Sequence, residues 1–237
     1  MAAPMEVVLS SDISGQMWNS CIWDPHTGTS LMSYKGGSSA PRTLCLLGKD
    51  YLIAAVNCHP LLHVWALHRQ DQQQSRIVCP GLVTALDTSP CGHYCVAGIV
   101  ERLHVWHVNT GRLLAVLSRH YQQITCLEFT DDGSHIVSGA EDSLVLVWSM
   151  ASILQNSSGF GSAIEPVYVW SGHSLPITDL HCGHGGVMSR VASSSLDQTC
   201  KVCALFCKLV MFMELNRPQT GNDDKEDQFS LTFKKHL

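Results

Sequence analysis

Short runs of β-branched, aliphatic and aromatic residues alternate with polar, glycine-containing segments along most of the chain. Such short runs between turn signals are typical of β strands, because helices of globular proteins need longer periodic segments. The segments 89–92 and 131–134 each contain a glycine, which supplies the positive φ of a tight hairpin turn. Runs that predict a first strand begin at Val83, Ile124 and Ile177, and runs that predict a second strand begin at Tyr51, Tyr94, His135 and Arg190. The pattern therefore predicts a series of antiparallel hairpins.

A tryptophan closes a further run of each repeat and sets its period. Trp23, Trp65, Trp106 and Trp148 are separated by 42, 41 and 42 residues. This spacing is the period of a WD40 repeat, in which about four strands form one blade of a β-propeller. The next interval is longer, because Cys203 takes the place of the following tryptophan 55 residues after Trp148. The chain is therefore predicted to be all-β, an incomplete WD40 β-propeller of about four to five blades.

The repeat boundaries predict the organisation of the chain. A partial propeller covers residues 1–203, with repeats at about 36–75, 78–116, 119–158 and 170–203. The long fourth interval places an insertion between Ala151 and Pro166, where a Gly/Ser-rich composition predicts a flexible loop. Residues 204–237 are predicted to form a divergent, non-propeller C-terminal tail that is disordered over its polar, acidic stretch. Within this tail, the apolar residues 205–213 are predicted to form one strand or an apolar tail that associates with other surfaces.

Two repeats carry the residue types of the hydrogen-bond network found in WD40 blades. A buried carboxylate, hydroxyl and imidazole that satisfy one another avoid a desolvation penalty of several kcal/mol, so such a set fixes the register of a blade. A hydrolytic Ser/His/Asp site uses the same residue types, but the spacing favours a structural role. The complete set is His120, Ser138, Asp142 and Trp148, and the second set is His173, Ser193 and Asp197 with Cys203 in the tryptophan position. No catalytic residue is assigned.

Composition and charge narrow the classes of function. Hydrophobic residues make up 45% of the chain and charged residues 15%, which leaves enough apolar side chains for a core shared by stacked sheets. A net charge of −5 and the lack of a basic stripe interleaved with aromatics disfavour direct nucleic-acid binding. Residues 1–5 contain no basic region that leads into a long apolar segment, so neither a signal peptide nor a membrane anchor is predicted.

The chain contains 11 cysteines. Without a secretory signal they are expected in a reducing compartment, so no disulfide framework is predicted. The clusters 91–95, 181–184 and 200–203 each offer soft metal ligands within a few residues. None is followed by a second half at zinc-finger spacing, so neither a metal site nor a cofactor is predicted.

Three stretches are similar to one family beyond the generic repeat. Residues 117–122, 170–183 and 193–199 resemble the vertebrate WD repeat-containing protein 18 family, and the resemblance extends from the N-terminus to about Lys201. Members of that family are non-catalytic WD40 subunits of the rixosome, a nuclear and nucleolar assembly with a helical-repeat scaffold and an AAA-type ATPase. The resemblance implies a scaffold in rRNA processing and large ribosomal subunit maturation. It also implies a location in the nucleus, nucleolus and nucleoplasm, with the cytoplasm as the alternative.

The chain departs from that family where Val202 and Cys203 replace a Leu-Trp pair, and residues 202–237 are expected to be an unrelated ending. The resemblance implies a ring of about seven blades, so two blade faces and their edges would be exposed here. Open edges pair with other chains, which predicts marginal stability, self-association or dependence on a partner. Two alternatives stay open, a generic WD40 interaction adaptor and a truncated isoform that is non-functional or dominant-negative. The insertion at Ala151–Pro166 is a candidate partner contact because of its length.

Overall fold

The computed structural model describes residues 7–11, 20–34, 39–69, 73–156, 164–186, 189–205, 210–215 and 231–235. The chain divides into two compact units, Met1–Ser118 and Arg119–Leu237. Strands dominate both units, and the one helix among the described residues is seven residues long. No helix within these ranges has the length and apolar character needed to cross a membrane.

The first unit contains three antiparallel sheets. The first sheet consists of β1 (Val8–Ser11), β2 (Ser20–Trp23) and β3 (Ser30–Tyr34). The second sheet consists of β4 (Ser39–Leu47), β5 (Tyr51–Val56), β6 (Leu61–Ala66) and β7 (Gln73–Val78). The third sheet consists of β8 (Val83–Thr88), β9 (Tyr94–Ile99), β10 (Arg102–His107) and β11 (Arg112–Ser118). In every sheet, strands that follow one another in sequence are neighbours in space, as expected of short hairpin connections.

The second unit contains two further antiparallel sheets. The fourth sheet consists of β12 (Ile124–Phe129), β13 (His135–Ala140), β14 (Val145–Ser149) and β15 (Tyr168–Trp170). The helix α1 (Met150–Asn156) lies between β14 and β15 in the chain. The fifth sheet consists of β16 (Ile177–Cys182), β17 (Arg190–Ser195), β18 (Cys200–Ala204), β19 (Val210–Leu215) and β20 (Leu231–Lys235).

These sheets confirm the predicted fold class, an all-β, incomplete WD40 β-propeller, with five blade-like sheets in the described residues. The predicted hairpin turns are present, and Gly92 and Gly133 adopt φ values of 72° and 68°. Trp170, which the sequence pattern assigned to the start of the next repeat, lies in the outer strand of the fourth sheet. The sequence repeat is therefore offset by one strand from the sheet that it helps to build.

Apolar side chains hold the sheets of each unit together face to face. In the first unit, Ile53 and Val64 of the second sheet belong to the same buried cluster as Leu86 and Ala97 of the third. Each fully buried aliphatic side chain contributes about 1.5–3 kcal/mol relative to leaving it in water. The second and third sheets are also joined by a hydrogen bond from Thr88 Oγ1 to a backbone carbonyl of β4.

The fourth and fifth sheets pack closely because one position facing the contact is glycine. A Cβ atom at Gly139 would lie 2.7 Å from Ile177 Cγ2, closer than real Cβ contacts allow. Val137 and Val147 of the fourth sheet share a buried cluster with Ile177 and Val191 of the fifth. Thr125 Oγ1 donates a 2.7 Å hydrogen bond to the Ile177 carbonyl, which fixes the relative position of β12 and β16.

Two acidic side chains add polar bonds between these sheets. Glu128 Oε2 accepts the backbone N–H of Cys182 at 2.8 Å, and the Asp131 carboxylate accepts those of Gly185 at 2.8 Å and Gly186 at 2.7 Å. Hydrogen bonds to an ionised acceptor are stronger than neutral ones. The bonds from Gly185 and Gly186 hold the pKa of Asp131 below its usual value. The fourth and fifth sheets are thus joined by both apolar packing and charge-assisted bonds.

The insertion differs from the predicted flexible loop in its first part. Residues Met150–Asn156 form α1, with the side chains of Met150 and Ile153 buried. Met, Ala, Leu and Gln favour helix, and the buried face of α1 supplies the tertiary packing that a short helix needs. The loop prediction was based on the Gly/Ser-rich residues 156–162, of which Asn156 ends α1 and 157–162 lie outside the described residues.

Part of the predicted C-terminal tail lies within the described residues and forms two strands. β19 pairs with β18, and β20 pairs with β19, so both extend the fifth sheet. Without β19, β18 would present a row of unpaired N–H and C=O groups, and an apolar run in the chain satisfies them by pairing. The prediction of a strand near 205–213 overlaps β19, whereas nothing in the pattern indicated β20. The polar stretch 216–227, predicted to be disordered, lies outside the described residues.

Candidate functional site

The structure brings the four residues of the complete network together in the fourth sheet. His120 Nδ1 lies 2.9 Å from Asp142 Oδ2, and His120 Nε2 lies 2.8 Å from Ser138 Oγ. The indole Nε1 of Trp148 donates to Ser138 Oγ at 3.1 Å. Ser138 and Trp148 have no solvent-exposed surface. The four side chains form one hydrogen-bonded chain that runs from a loop, through the second strand, to the end of the third.

The charge on Asp142 sets the direction of these hydrogen bonds. Burial opposes ionisation of Asp142, but the hydrogen bond from His120 and the backbone N–H groups of Tyr121 and Leu144 outweigh it and hold its pKa below the usual value. An ionised carboxylate only accepts, so His120 donates through Nδ1. With a neutral imidazole, Nε2 accepts the Ser138 hydroxyl proton, which leaves a lone pair of Ser138 Oγ for the indole N–H.

The second predicted set is assembled in the same way in the fifth sheet. His173 Nδ1 lies 2.9 Å from Asp197 Oδ2, and His173 Nε2 lies 2.9 Å from Ser193 Oγ. Asp197 also accepts the backbone N–H of Ser174 at 3.1 Å. Burial opposes ionisation of Asp197, but hydrogen bonds from its neighbours outweigh it and lower its pKa. Cys203 provides no indole to Ser193 Oγ, whose other contact among the described residues is the Lys201 carbonyl at 3.5 Å.

Strand register places a serine hydroxyl within reach of two of the indoles. Trp148 lies opposite Ile136, two residues before Ser138 on the neighbouring strand. Trp23 lies opposite Val8, two residues before Ser10, and donates to Ser10 Oγ at 2.7 Å. The corresponding positions in the second, third and fifth sheets are Ala54, Ala97 and Ser193. The predicted tryptophans Trp65 and Trp106 therefore lie in sheets without this hydroxyl. Ser10 was not predicted, although it lies two residues beyond Val8, the strand partner of Trp23.

Two histidines that the sequence pattern did not single out lie beside these tryptophans. His63 and His104 each precede the tryptophan by two residues, and each ring centroid lies 5.6 Å from that of the indole. Both side chains are buried, and the Nδ1 atom of each makes no hydrogen bond in the part of the chain that the structure describes. Burial lowers the pKa of both imidazoles. Burial and the charge of a nearby arginine, Arg76 for His63 and Arg102 for His104, thus favour the neutral form of both rings.

One aromatic side chain is presented to solvent by the complete network. Tyr121 follows His120 directly and is 78% exposed. Its backbone N–H donates to Asp142 Oδ2 at 3.0 Å, so the network fixes the backbone from which this ring projects. Exposed aromatic side chains on a rigid backbone are typical anchors of protein interfaces. Tyr121 is therefore a candidate contact residue of the second unit.

The first unit carries an apolar cleft between its second and third sheets. The cleft has a volume of about 430 Å³, and its lining includes Leu62, Val64, Ile77, Val78 and Trp106. Ile77 and Val78 belong to β7, the outer strand of the second sheet, and Val78 is 76% exposed. A concave apolar surface beside an outer strand is suited to an extended segment of a partner protein.

The described residues offer little for metal chemistry. No three His, Cys, Asp or Glu side chains within the described ranges lie close enough together to hold a metal ion. The ten cysteines in these ranges are free thiols. Burial raises the pKa of Cys79 to about 11 and that of Cys203 to about 12, so both thiols stay protonated at neutral pH. These cysteines pack as small apolar side chains.

The sheets and their register are those of the WD40 β-propeller fold. The WD domain, G-beta repeat family matches residues 111–149 and 164–203, the two segments that contain the two networks. The chain is similar to WD repeat-containing protein 18. It is 51% identical to the Rattus norvegicus protein over 205 residues, which are 86% of this chain and 47% of that protein. Against the Homo sapiens protein it is 52% identical over 202 residues, 85% of this chain and 46% of that protein. The resemblance drawn from the sequence is confirmed.

A more distant relative extends the comparison. The chain is 31% identical over 224 residues to the Caenorhabditis elegans pre-rRNA-processing protein pro-1, covering 92% of this chain and 42% of that protein. The chain thus spans about half the length of the curated relatives that it matches.

Proposed function

We propose that this chain is a non-catalytic WD40 scaffold in pre-rRNA processing, a subunit of the nuclear rixosome that acts in maturation of the large ribosomal subunit. The observation that carries the proposal is the identity of 51% over 86% of the chain to WD repeat-containing protein 18. The similarity to pre-rRNA-processing protein pro-1 over 92% of the chain supports the process. The partners proposed from the resemblance are a helical-repeat scaffold and an AAA-type ATPase, and the proposed location is nuclear and nucleolar.

The geometry of the networks supports a structural role for their residues. Ser138 has no exposed surface, and its hydroxyl is engaged by both His120 and Trp148. A nucleophile must reach a substrate, and a buried hydroxyl with both neighbours in place does not. Ser193 is buried as well and bonds His173. This geometry supports the proposal that the Ser/His/Asp sets fix the blades and the loops that precede them, and that the chain acts by binding.

The first experiment is affinity purification of the tagged full chain from nuclear extract, followed by mass spectrometry. Retention of the helical-repeat scaffold, the ATPase and other pre-ribosomal proteins is the expected result. A reproducible partner set without ribosome-assembly factors would favour the generic WD40 adaptor. A folded chain that retains no specific partner would instead favour the non-functional isoform. Folding is checked by circular dichroism on the same preparation.

The contact proposed at Tyr121 has a matched pair of variants. Tyr121→Ala removes the exposed ring, while Tyr121→Phe keeps the ring and removes only its hydroxyl. Because the backbone at 121 is held by Asp142, neither change should disturb the network. Tyr121→Ala should lower partner capture about tenfold or more, and Tyr121→Phe should retain it. Equal capture by both variants and the unaltered chain would remove Tyr121 from the interface.

The insertion is a second proposed contact, and α1 dictates how it should be tested. Because Met150 and Ile153 are buried, α1 must be retained. Glu165 must also be retained, since it pairs with Arg119 at 3.1 Å. Replacing residues 157–163 by a short Gly/Ser turn shortens the insertion and keeps both α1 and Glu165. Reduced capture with an unchanged melting temperature is expected, and unchanged capture would exclude this segment as a contact.

A further inference from the structure

A cavity in the second unit lies where the incomplete network ends. It has a volume of about 320 Å³ between the fourth and fifth sheets. Its lining includes Val145, Val169 and Trp170 from the fourth sheet, and Ser193, Lys201 and Cys203 from the fifth. Val169 is 53% exposed, so the cavity is reached from solvent along β15. Ser171, Gly172 and His173 line it as well, so the lining combines apolar side chains with two hydroxyls, one imidazole and one ammonium group.

The complete network shows which chemical group suits this cavity. Cys203 lies opposite Val191, two residues before Ser193, in the register that places Trp148 opposite Ile136 and two residues before Ser138. In the fourth sheet the indole of Trp148 fills this position and donates to the serine hydroxyl at 3.1 Å. An indole donates to a serine hydroxyl in the first sheet as well. In the fifth sheet, the small side chain of Cys203 occupies the register position of that indole.

The hydrogen-bonding capacity of Ser193 matches this assignment. Among the described residues, Ser193 Oγ contacts His173 Nε2 at 2.9 Å and the Lys201 carbonyl at 3.5 Å. In the tautomer that donates through Nδ1 to the Asp197 carboxylate, Nε2 of His173 accepts the proton of the Ser193 hydroxyl. Ser193 lines the cavity, and its oxygen then keeps acceptor capacity for an indole N–H. The ammonium group of Lys201 donates a hydrogen bond to the Gly172 carbonyl, and both residues line the cavity.

We propose that this cavity is a binding site for a small indole-class molecule, a flat aromatic ring with one N–H donor. The ring occupies the position that Trp148 fills in the neighbouring sheet, and its N–H donates to Ser193 Oγ. The size is sufficient, because an apolar cavity of about 150 Å³ in another protein binds benzene. This inference is independent of the proposed role in pre-rRNA processing.

The test is a titration of the full chain with 5-fluoroindole, in which binding is monitored through the fluorine NMR signal of the probe. Saturable binding is expected. Cys203→Trp should fill the site from within, which should weaken binding at least about tenfold and raise the melting temperature. The control Ser194→Ala changes the adjacent residue on the opposite face of β17, where its hydroxyl contacts Thr178, and should leave the affinity unchanged.

A second arm tests the hydrogen bond and does not depend on the folding of Cys203→Trp. The N-methylated probe, 1-methyl-5-fluoroindole, should bind the unaltered chain about five- to tenfold more weakly than 5-fluoroindole, because it lacks the donor. Ser193→Ala and N-methylation of the probe each remove the hydrogen bond between the probe N–H and Ser193 Oγ. The two probes should therefore bind Ser193→Ala with equal affinity. Absence of saturable binding, or equal affinity in Cys203→Trp, would overturn the proposal.

A third arm separates a small molecule from a tryptophan side chain of a partner. N-acetyltryptophanamide carries the same ring with a bulky backbone, and it should compete at least about tenfold more weakly than indole. Competition as strong as that of indole would assign the cavity to a partner protein and overturn the small-molecule proposal.

Discussion

Trp23 donates a 2.7 Å hydrogen bond from its indole Nε1 to Ser10 Oγ on the neighbouring strand. This bond has the strand register of the Trp148–Ser138 bond. Trp23 is 37% exposed, whereas Trp148 is fully buried. The bond between the indole and the hydroxyl therefore follows from register in both settings.

Replacing Ser138 by Ala should destabilise the chain strongly. The change leaves the buried Nε2 of His120 and Nε1 of Trp148 without their shared partner. Each unsatisfied buried group costs about 1–3 kcal/mol, so the free energy of unfolding should fall by about 2–4 kcal/mol in urea titrations. Ser149→Ala, at a half-buried position one residue after Trp148, serves as the control and should change it by less than about 1 kcal/mol. Equal losses in the two variants would contradict the role of the network.

The lowered pKa of Asp142 predicts acid sensitivity. Its folded pKa lies below the unfolded value of about 3.9, so the unfolded state binds the proton first as the pH falls. The stabilisation is complete above that value and is lost as the pH falls through the folded pKa. Asp142→Asn should lower the stability at neutral pH and flatten the slope below about pH 4. Thermal unfolding across the pH range tests this, with Asp50→Asn, 71% exposed, as the control that keeps the slope.

His104 predicts a pH effect in a different range. Burial lowers its pKa, so the unfolded state binds a proton at higher pH than the folded state, and the free energy of unfolding falls as the pH drops below about 6.5. His104→Leu introduces the residue type of Leu146, which occupies the equivalent register position in the fourth sheet. It should raise stability by about 1 kcal/mol or more and reduce the slope between pH 6.5 and 5.

The control for this variant is His184→Leu, since the side chain of His184 is 98% exposed. Denaturant unfolding of both variants at several pH values provides the comparison. A slope that His184→Leu reduces as much as His104→Leu would show that burial of His104 is not its cause.

Val100 should be replaceable with a gain in stability. It lies in the two-residue turn between β9 and β10 with φ at 55°, a conformation that β-branched residues rarely adopt. Asn tolerates this conformation, so Val100→Asn should raise the free energy of unfolding by about 0.5–1 kcal/mol. Val78→Asn, another exposed valine but in a strand, should give no gain. Equal stability of the two variants would contradict strain at Val100.

The network residues could be predicted because their spacing is local to each repeat. His120, Ser138, Asp142 and Trp148 fall at repeat-dependent positions, and β pairing brings them together without help from distant segments. Ser10 was not predicted, because no histidine or aspartate partner marked it. His63 and His104 were also missed, since a histidine in a strand has no sequence signal that distinguishes a buried ring from an exposed one.

The alternation of apolar runs and turns, together with the tryptophan period, determined the all-β class, the hairpins and the repeat number, because strand pairing within a blade is local in sequence. The tertiary structure decided which strand edges are paired and where cavities lie, because both depend on neighbouring strands. β19 pairs with the edge of β18, and β20 pairs with β19, although both strands come from a segment with no repeat signal. The pairing of Cys203 with Val191 left a cavity beside Ser193 that composition cannot reveal. Edges and cavities arise from packed sheets, so only the folded chain defines them.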